Sequence, residues 1–178
     1  GGRTLDGSNP KYINTAATSV FDKKSILYGL DKSVDSIRKQ DTAIIVEGYM
    51  DVITAHQFEH QNVIASMGTA LTEQQVSLIR SSASTFVLAL DPDTAGQEAT
   101  LRSLESAWRI FEHQKMIEGR RSVGTLYRSK RLDLNIAILP VDMDPDKLLR
   151  DLPEQWEQTI ENAIPFLDFA IQGVASKY

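Results

Sequence analysis

The sequence has no cysteine among its 178 residues, which excludes disulfide bonds and thiolate zinc sites within it. It also has no long hydrophobic run: none approaches the roughly 20 residues that a membrane helix needs, and no charged and then apolar leader is seen. Hydrophobic residues make up 42% and charged residues 24%, so we expect one soluble globular core. The lack of cysteine fits a cytoplasmic protein. Because the chain begins at Gly1 rather than Met, we expect a piece of a longer protein.

Two familiar phosphate-binding motifs are missing as well. There is no GxGxxG after an apolar run and no GxxxxGK[ST], so neither a dinucleotide fold nor a P-loop is indicated. The net charge of -5 argues weakly against nucleic acid, but basic residues dominate residues 1–39 and 115–131. Such local basic fields suit the binding of a polyanion, although a solvated surface explains either run equally well.

From Ala43 onward the sequence alternates short apolar runs with segments of helical character. We expect strands at 43–46, 63–66, 86–90 and 134–139, and helices at 49–59, 72–81, 94–113, 144–150 and 153–174. This alternation predicts an α/β fold with a central, mainly parallel sheet flanked by helices. Residues 1–30 are rich in Gly, Asn, Pro, Ser and Thr, which predicts loops with short extended pieces.

Two local signals support this assignment of elements. Thr72 stands three residues before Gln75, which is the spacing of a capping box at a helix start. Gly96 falls in the first turn of the next predicted helix, where a small residue lets the backbone approach a ligand.

Three acidic motifs follow apolar strands or lie close to them. They are Glu47 with Asp51, Asp91 with Asp93, and Asp144 with Asp146. Because ligands of an open parallel sheet bind beyond the carboxyl ends of its strands, these carboxylates should meet at one edge. Carboxylate oxygens select Mg²⁺ or Mn²⁺ rather than zinc, and such a cluster suits two ions about 4 Å apart and in-line attack at phosphorus.

Two other interpretations stay open at this point. Aspartates after strands are common turn formers and helix caps, so any single one of them could be structural. The run from Val87 to Thr94 also resembles the nucleophile motif of haloacid-dehalogenase-type phosphatases, with Asp91 attacking phosphorus and Asp93 as acid or base. That motif normally opens its domain, whereas here a predicted strand that leads to Glu47 comes first.

Several motifs together resemble the Toprim domain of bacterial DnaG-type DNA primases. They are Val46-Glu47-Gly48-Tyr49-Met50-Asp51-Val52, Ala65-Ser66-Met67-Gly68-Thr69-Ala70-Leu71-Thr72, Asp91-Pro92-Asp93-Thr94-Ala95-Gly96, and Leu139-Pro140 running to Asp144-Pro145-Asp146. Four further segments resemble the end of the basic N-terminal subdomain of these primases. They are Gly1-Gly2-Arg3, Pro10-Lys11-Tyr12-Ile13-Asn14, Phe21-Asp22-Lys23-Lys24 and Leu27-Tyr28-Gly29-Leu30. A glutamate followed by DxD marks the Toprim superfamily only, and the segments at 10–14 and 27–30 point to primase.

The resemblance implies an RNA polymerase that starts chains on single-stranded DNA from ribonucleoside triphosphates. It implies principal ligands for Mg²⁺ or Mn²⁺ at Glu47, Asp91 and Asp93. The acidic pocket would be completed by Asp51, Asp144 and Asp146. Phosphates of the template or nucleotide would be contacted by Arg3, Lys11, Asn14 and Lys23.

The resemblance also implies how the chain is organised and what it meets. Residues 1–40 would end the basic subdomain, residues 41–150 would form the Toprim domain, and residues 151–178 would be a helical segment of the core. The family's zinc domain and its helicase-binding C-terminal domain lie outside this sequence. We therefore expect that this segment binds no zinc and that the replicative helicase is contacted by a domain outside it. We also expect a monomer that works at the replication fork in the bacterial cytoplasm, without membrane contact.

The sequence departs from the family pattern in two places. Pro92 stands between the two aspartates, and it removes an N–H and favours an extended Asp91, which a strand end tolerates. Residues 115–131 form a longer basic connection, which is either a nucleic-acid contact with Tyr127 stacking on a base or a solvated loop.

Three alternatives to a primase remain open. A Toprim nuclease or topoisomerase-type enzyme would use Glu47 as a general acid or base beside the same metal. A phosphatase would use Asp91, and a protein without catalytic activity would only bind nucleic acid.

The remaining notable residues are expected to be structural. Trp108 is expected in the core or at an interface. No histidine shows ligand spacing with the acids, and we expect surface positions for His56, His60 and His113.

Overall fold

The computed structural model describes residues 2–3, 12–13, 16–67, 71–90, 108–109 and 132–175. Its strands are β1 (Gly2–Arg3), β2 (Tyr12–Ile13), β3 (Thr42–Val46), β4 (Val63–Ala65), β5 (Thr85–Leu90), β6 (Asp133–Ile138) and β7 (Ile164–Pro165). Its helices are α1 (Leu30–Gln40), α2 (Tyr49–Gln57), α3 (Glu73–Ile79), α4 (Pro145–Asp151), α5 (Pro153–Glu161) and α6 (Phe166–Ala175).

Five strands form one sheet in the order β4, β3, β5, β6, β7. β3 pairs in parallel with both β4 and β5, β5 pairs in parallel with β6, and the short β7 is antiparallel to β6. The predicted α/β fold with a mainly parallel sheet is confirmed. The chain passes from β3 to β4 on one side and later returns to β5 on the other, so the strand order reverses between β3 and β5. Open α/β sheets bind their ligands beyond the carboxyl ends of strands at such a point.

Alternate side chains of the central strands enter two hydrophobic cores, one on each face of the sheet. In β3, Ala43 and Ile45 belong to the first core, and Ile44 and Val46 belong to the second. Helices α1, α3 and α6 contribute to the first core, and α2, α4 and α5 contribute to the second. Burial on both faces explains why this strand is a continuous apolar run rather than an alternating one.

Helix α1 is an element that the sequence analysis did not predict. It begins after Gly29, whose φ of 81° is a backbone conformation that favours glycine. A Cβ at this position would also lie 2.8 Å from Cγ1 of Val52, so a larger residue would clash. Ile37 is fully buried in the first core, and the buried Ser33 hydroxyl donates to the carbonyl of Val63 at 3.0 Å. The helix is therefore part of the layer that covers one face of the sheet.

The single helix predicted for residues 153–174 is wrong. The chain forms α5, then β7, then α6. Pro165 explains the break, because proline lacks an N–H and its ring clashes with the preceding helical turn. Ile164 and Pro165 instead pair with Ile136 and Asn135 at the edge of the sheet, where proline is tolerated.

Two predicted segments fall outside the described residues, namely the basic connection 115–131 and most of the helix 94–113. Of the latter, Trp108 is described; its ring stacks on Phe166 with centroids 5.8 Å apart and packs against the first core, as expected. In the described part of the chain, no helix has the length and apolar character needed to cross a membrane.

The substitution Ile37→Ala tests whether α1 is integral to the fold. Because Ile37 has no exposed surface, the cavity should lower the free energy of unfolding by about 2–5 kcal/mol. Urea unfolding followed by circular dichroism measures the change. The exposed Lys39→Ala on the same helix is the control and should stay within about 0.5 kcal/mol of wild type. Equal effects of the two substitutions would contradict the packing of α1 on the sheet.

Candidate active site at the carboxyl edge of the sheet

Glu47 follows the last residue of β3 and is exposed to solvent. β3 lies beside β5, with Ile45 opposite Leu88 in parallel register, so both strands run toward the same edge. Asp91 follows the last residue of β5 in the sequence, but Asp91 and Asp93 lie outside the described residues. The predicted meeting of these two aspartates with Glu47 therefore stays a prediction.

The carboxylate of Asp51 links the starts of two helices. Its Oδ2 accepts the N–H of Gly48 at 3.0 Å, and its Oδ1 accepts the N–H of Asp146 at 3.3 Å. Asp51 lies in the first turn of α2, where the helix dipole favours a negative charge, and Asp146 lies in the first turn of α4. The turn that carries Glu47 is thereby tied to α4. A Cβ at Gly48 would lie 3.0 Å from Oδ2 of Asp51, so a larger residue would crowd this link.

Asp144 caps helix α4. Its Oδ1 accepts the N–H of Lys147 at 2.7 Å, and Pro145 takes the first helical position, where a missing N–H has no helical partner to lose. The capping role that was open for any one of the aspartates thus applies to Asp144. The side chain remains exposed, so the cap does not bury it.

Asp146 is held by two side chains that the sequence analysis missed. Its Oδ1 accepts hydrogen bonds from the buried Thr54 hydroxyl and, at 2.8 Å, from Nε of Arg150. Desolvation alone would raise the pKa of Asp146, but the bonds from Thr54 and Arg150 and the charge of Arg150 outweigh it, so the pKa falls below its ordinary value. The i, i+4 spacing of Asp146 and Arg150 was a signal for their pairing, whereas nothing in the sequence marks Thr54.

The donor atoms at this edge suit a hard divalent cation. Of the predicted ligands, Asp51 and Asp146 are joined by a hydrogen bond, Asp144 caps the start of α4, and Glu47 precedes the start of α2. All donors are carboxylate oxygens, which Mg²⁺ and Mn²⁺ prefer. Within the described residues, no group of three acidic or histidine side chains lies close enough to hold a metal ion. The part of Asp91 and Asp93 in a metal site stays a prediction.

A short turn at residues 22–25, called the basic turn below, carries Lys23 and Lys24. Asp22 closes it, because its Oδ1 and its carbonyl accept the N–H groups of Lys24 and Ser25, each at 3.0 Å. Lys23 is half-buried and Lys24 is exposed. The predicted phosphate contact at Lys23 thus lies on a turn with its own internal hydrogen bonds.

The capping box predicted at Thr72 and Gln75 is present at the start of α3. The N–H of Gln75 donates to the Thr72 hydroxyl at 3.2 Å, and the N–H of Thr72 donates to Oε1 of Gln75 at 3.0 Å. Nε2 of Gln75 also donates to the carbonyl of Lys23 at 3.1 Å and lies 3.5 Å from the carbonyl of Ser66, which follows β4. The basic turn is thus held beside the carboxyl end of β4, a role of Gln75 that the sequence analysis missed.

The other residues predicted to contact phosphate are Lys11, Asn14 and Arg3. Lys11 and Asn14 lie outside the described residues. Arg3 lies in β1, which pairs antiparallel with β2 so that Arg3 is opposite Tyr12. The phosphate roles of these residues stay predictions.

His56 and His60 are partly buried, which corrects the surface positions predicted for them. Nε2 of His56 lies 2.9 Å from the carbonyl of Val63, and the ring of His60 packs 5.9 Å from that of Trp156. Burial lowers the pKa of His60. Both histidines therefore connect secondary-structure elements, while His113 lies outside the described residues.

Comparison with known proteins first gives the class of this protein. Residues 44–149, more than half of the chain, match the Toprim-like family. The chain therefore belongs to the Toprim-like family. Residues 1–34 match a second family, the N-terminal domain of the DNA primase catalytic core.

Within that class, the similarity is to DNA primases. The DNA primase of Clostridium acetobutylicum is 40% identical over 172 residues, which is 96% of this chain and 25% of that protein. A DNA primase domain from Pseudomonas aeruginosa matches with a TM-score of 0.73 and 29% identity, covering 99% of this chain and 50% of that chain. A structure of the DnaG primase catalytic domain bound to single-stranded DNA matches with a TM-score of 0.69 and 29% identity, covering 94% and 49%.

These matches confirm the predicted resemblance to the catalytic core of DnaG-type primases. The chain spans about a quarter of the length of the curated relative and about half of each solved chain.

The substitution Arg150→Met tests the ion pair between Arg150 and Asp146. It should lower the free energy of unfolding at pH 7 by about 1 kcal/mol, because a partly exposed charge-assisted bond is lost. Since the folded state lowers the pKa of Asp146, this contribution is present above the ordinary value of 3.8 and is lost as pH falls through the lower folded value. Urea unfolding at pH 7 and near pH 2 without added metal should therefore show the difference shrinking in acid.

Arg38→Met is the matched control for this experiment. Arg38 pairs with Asp35 at 3.7 Å on the exposed surface of α1, so its loss should cost less than about 0.5 kcal/mol. An Arg150→Met effect that is independent of pH would contradict the ion pair as its cause.

Proposed function

We propose that this chain forms part of the active site of a DNA primase, which makes short RNA primers on single-stranded DNA. The observation that carries the proposal is the position of Glu47 at the carboxyl edge where the strand order reverses, beside the strand that leads to Asp91. Similarity to a protein named DNA primase supports it, as does the likeness to a DnaG catalytic domain solved with single-stranded DNA.

We assign Glu47, Asp91 and Asp93 as the principal ligands of Mg²⁺ or Mn²⁺, with two ions as the expected number. Glu47 is exposed, so its carboxylate is accessible to an ion. When bound, these ions supply positive charge that orients the triphosphate and offsets charge on the leaving pyrophosphate.

The other three acids complete the pocket, and two of them also position it. Asp51 accepts backbone N–H groups from two helix starts, and Asp146 is bonded to Thr54 and Arg150. These bonds fix the turn that carries Glu47 against α4. Asp144 is exposed at the start of α4, so it remains accessible as an outer ligand.

Binding of template and nucleotide falls to the basic N-terminal segment in this proposal. Lysine and arginine bind phosphate through charge and N–H donors, and the affinity weakens as salt rises. Lys23 has the best support, because its turn is held at the carboxyl edge of the sheet. The remaining proposed contacts are Arg3, Lys11 and Asn14.

The proposed organisation places the end of a basic subdomain at residues 1–40, a Toprim domain at residues 41–150 and a helical segment of the core at residues 151–178. Helix α1 packs on the sheet although it lies in the first of these units. Contact with a replicative helicase and the binding of zinc are assigned to domains outside this chain. A monomeric protein of the bacterial cytoplasm fits these assignments.

The alternatives differ in how they use the same edge. A Toprim nuclease or topoisomerase-type enzyme would employ Glu47 as a general acid or base. A phosphatase with Asp91 as nucleophile fits less well, because β3 precedes β5 in the chain and lies next to it in the sheet. A protein that only binds nucleic acid would need the basic turn but no acidic pocket.

Glu47→Gln tests the central assignment. In a complete primase that contains this chain, primer synthesis should fall by at least about a hundredfold, the scale seen when one group that stabilises charge in the transition state is removed. Calorimetric titration with Mn²⁺ should also show weaker binding. Glu154→Gln, at an exposed position in the first turn of α5, is the control and should change neither quantity. Unchanged primer synthesis in Glu47→Gln would refute the assignment.

Asp91→Ala separates the candidate chemistries. The Toprim hypotheses predict loss of Mn²⁺ binding, with the exposed Asp151→Ala as a control that keeps it. Mass spectrometry of the wild type after acid quenching should detect no phosphate bound covalently to Asp91. A covalent aspartyl-phosphate at that position would favour the phosphatase instead.

A further inference from the structure

Gln75 is a buried amide whose two ends bond to different parts of the chain. Its exposed fraction is 0%, and a buried amide is costly unless its donors and acceptor are bonded. Oε1 accepts the N–H of Thr72 at 3.0 Å, which completes the capping box. Nε2 donates to the carbonyls of Ile26 at 2.8 Å and Lys23 at 3.1 Å. The amide therefore joins the start of α3 to the segment that carries the basic turn.

Thr72 adds a second connection to the same segment. Its hydroxyl donates to the carbonyl of Lys24 at 2.6 Å while it accepts the N–H of Gln75 at 3.2 Å. The two side chains of this capping box thus donate hydrogen bonds to three carbonyls of the segment, those of Lys23, Lys24 and Ile26. A capping box needs only its own helix start, whereas this one also binds a turn about 50 residues earlier in the chain.

The segment is also anchored beyond the turn. Tyr28 and Ala65 exchange backbone hydrogen bonds of 2.9 Å and 3.1 Å, which adds Tyr28 to the edge of β4. Lys23 and Lys24 therefore extend from a backbone whose carbonyls are bonded to the capping box and which is anchored to β4 at Tyr28. Asp22 closes the turn from within.

We propose that the capping box of Thr72 and Gln75 positions Lys23 and Lys24 at the carboxyl edge of the sheet, where they meet phosphate groups of single-stranded DNA or of a nucleotide. A backbone that is already ordered loses less conformational entropy when its lysines bind, so the capping box raises the affinity without touching the phosphate. This inference rests on the phosphate contact proposed above for Lys23. The hold of the capping box on the turn does not depend on that contact.

Gln75→Glu separates the two roles of this side chain. Glutamate keeps an oxygen for the N–H of Thr72, so the cap of α3 is retained. It has no N–H for the carbonyls of Lys23 and Ile26 and places a negative charge against them. Gln74→Glu is the matched control, because it adds the same charge one residue earlier at an exposed position.

Thr72→Val and Thr72→Ser form a second pair that applies if Gln75→Glu does not fold. Valine removes the hydroxyl that reaches the carbonyl of Lys24, whereas serine keeps both that donor and the cap. Circular dichroism and Tm show which variants keep the fold.

Hydrogen–deuterium exchange of residues 22–28 measures directly how strongly the capping box restrains this segment. The measurement is made in a complete primase that contains this chain. Exchange should become about tenfold faster in Gln75→Glu and in Thr72→Val, as expected for the loss of one or two hydrogen bonds. It should stay unchanged in Gln74→Glu and Thr72→Ser. Unchanged exchange in both disruptive variants would overturn the inference, whatever the lysines bind.

Two further measurements test whether this restraint affects the binding of single-stranded DNA or of nucleotide. Fluorescence anisotropy with a labelled single-stranded DNA gives Kd, and primer synthesis at varied nucleoside triphosphate gives KM and kcat. Gln75→Glu should raise Kd or KM by about three- to tenfold with kcat unchanged, and Lys23→Ala should raise the same quantity. Which of the two rises identifies the source of the phosphate.

The failure of this inference is distinguishable from the failure of the proposed phosphate contact. If Lys23→Ala weakens binding but Gln75→Glu speeds exchange without changing Kd or KM, the contact stands and the positioning role is wrong. If the double substitution Lys23→Ala with Lys24→Ala changes neither Kd nor KM, the phosphate contact itself is refuted and the positioning inference with it.

Discussion

Burial of the central strands on both faces is the constraint on which the rest of this structure depends. Side chains of β3 and β5 alternate between two hydrophobic cores, so the sheet must be covered by helices on each side. Helices placed between parallel strands satisfy that requirement and bring the carboxyl ends of β3 and β5 to the same edge. The position of Glu47 is therefore a consequence of how the cores are filled.

At that edge, side chains that bond to the backbone hold the turns in place. Asp51 joins the start of α2 to the start of α4, and Gln75 joins the start of α3 to the N-terminal segment. Glu47, exposed and beside these links, is left accessible. The acids of this edge thus differ in their contacts: Asp51 and Asp146 are hydrogen-bonded within the fold, whereas Glu47 is exposed to solvent.

Local patterns predicted much of the fold. Strands β3 to β6 and helices α2 to α4 were expected within two residues of their ends, because apolar periodicity and the cap at Thr72 are properties of short stretches. The break at Pro165 was missed because the apolar spacing continued across it. Helix α1 was missed because its buried face includes Ser33, a polar residue whose partner is the carbonyl of Val63 on a different element.

The sequence by itself determined which residues follow each strand, and hence the prediction that acidic side chains meet at the carboxyl ends of the strands. Only the tertiary structure decided what those side chains touch. Asp51 bonds to a residue 95 positions away, Thr54 to one 92 positions away, and Gln75 to one 52 positions away. Such partners depend on which elements become neighbours, and that choice is made by the packing of both cores together rather than by any local pattern.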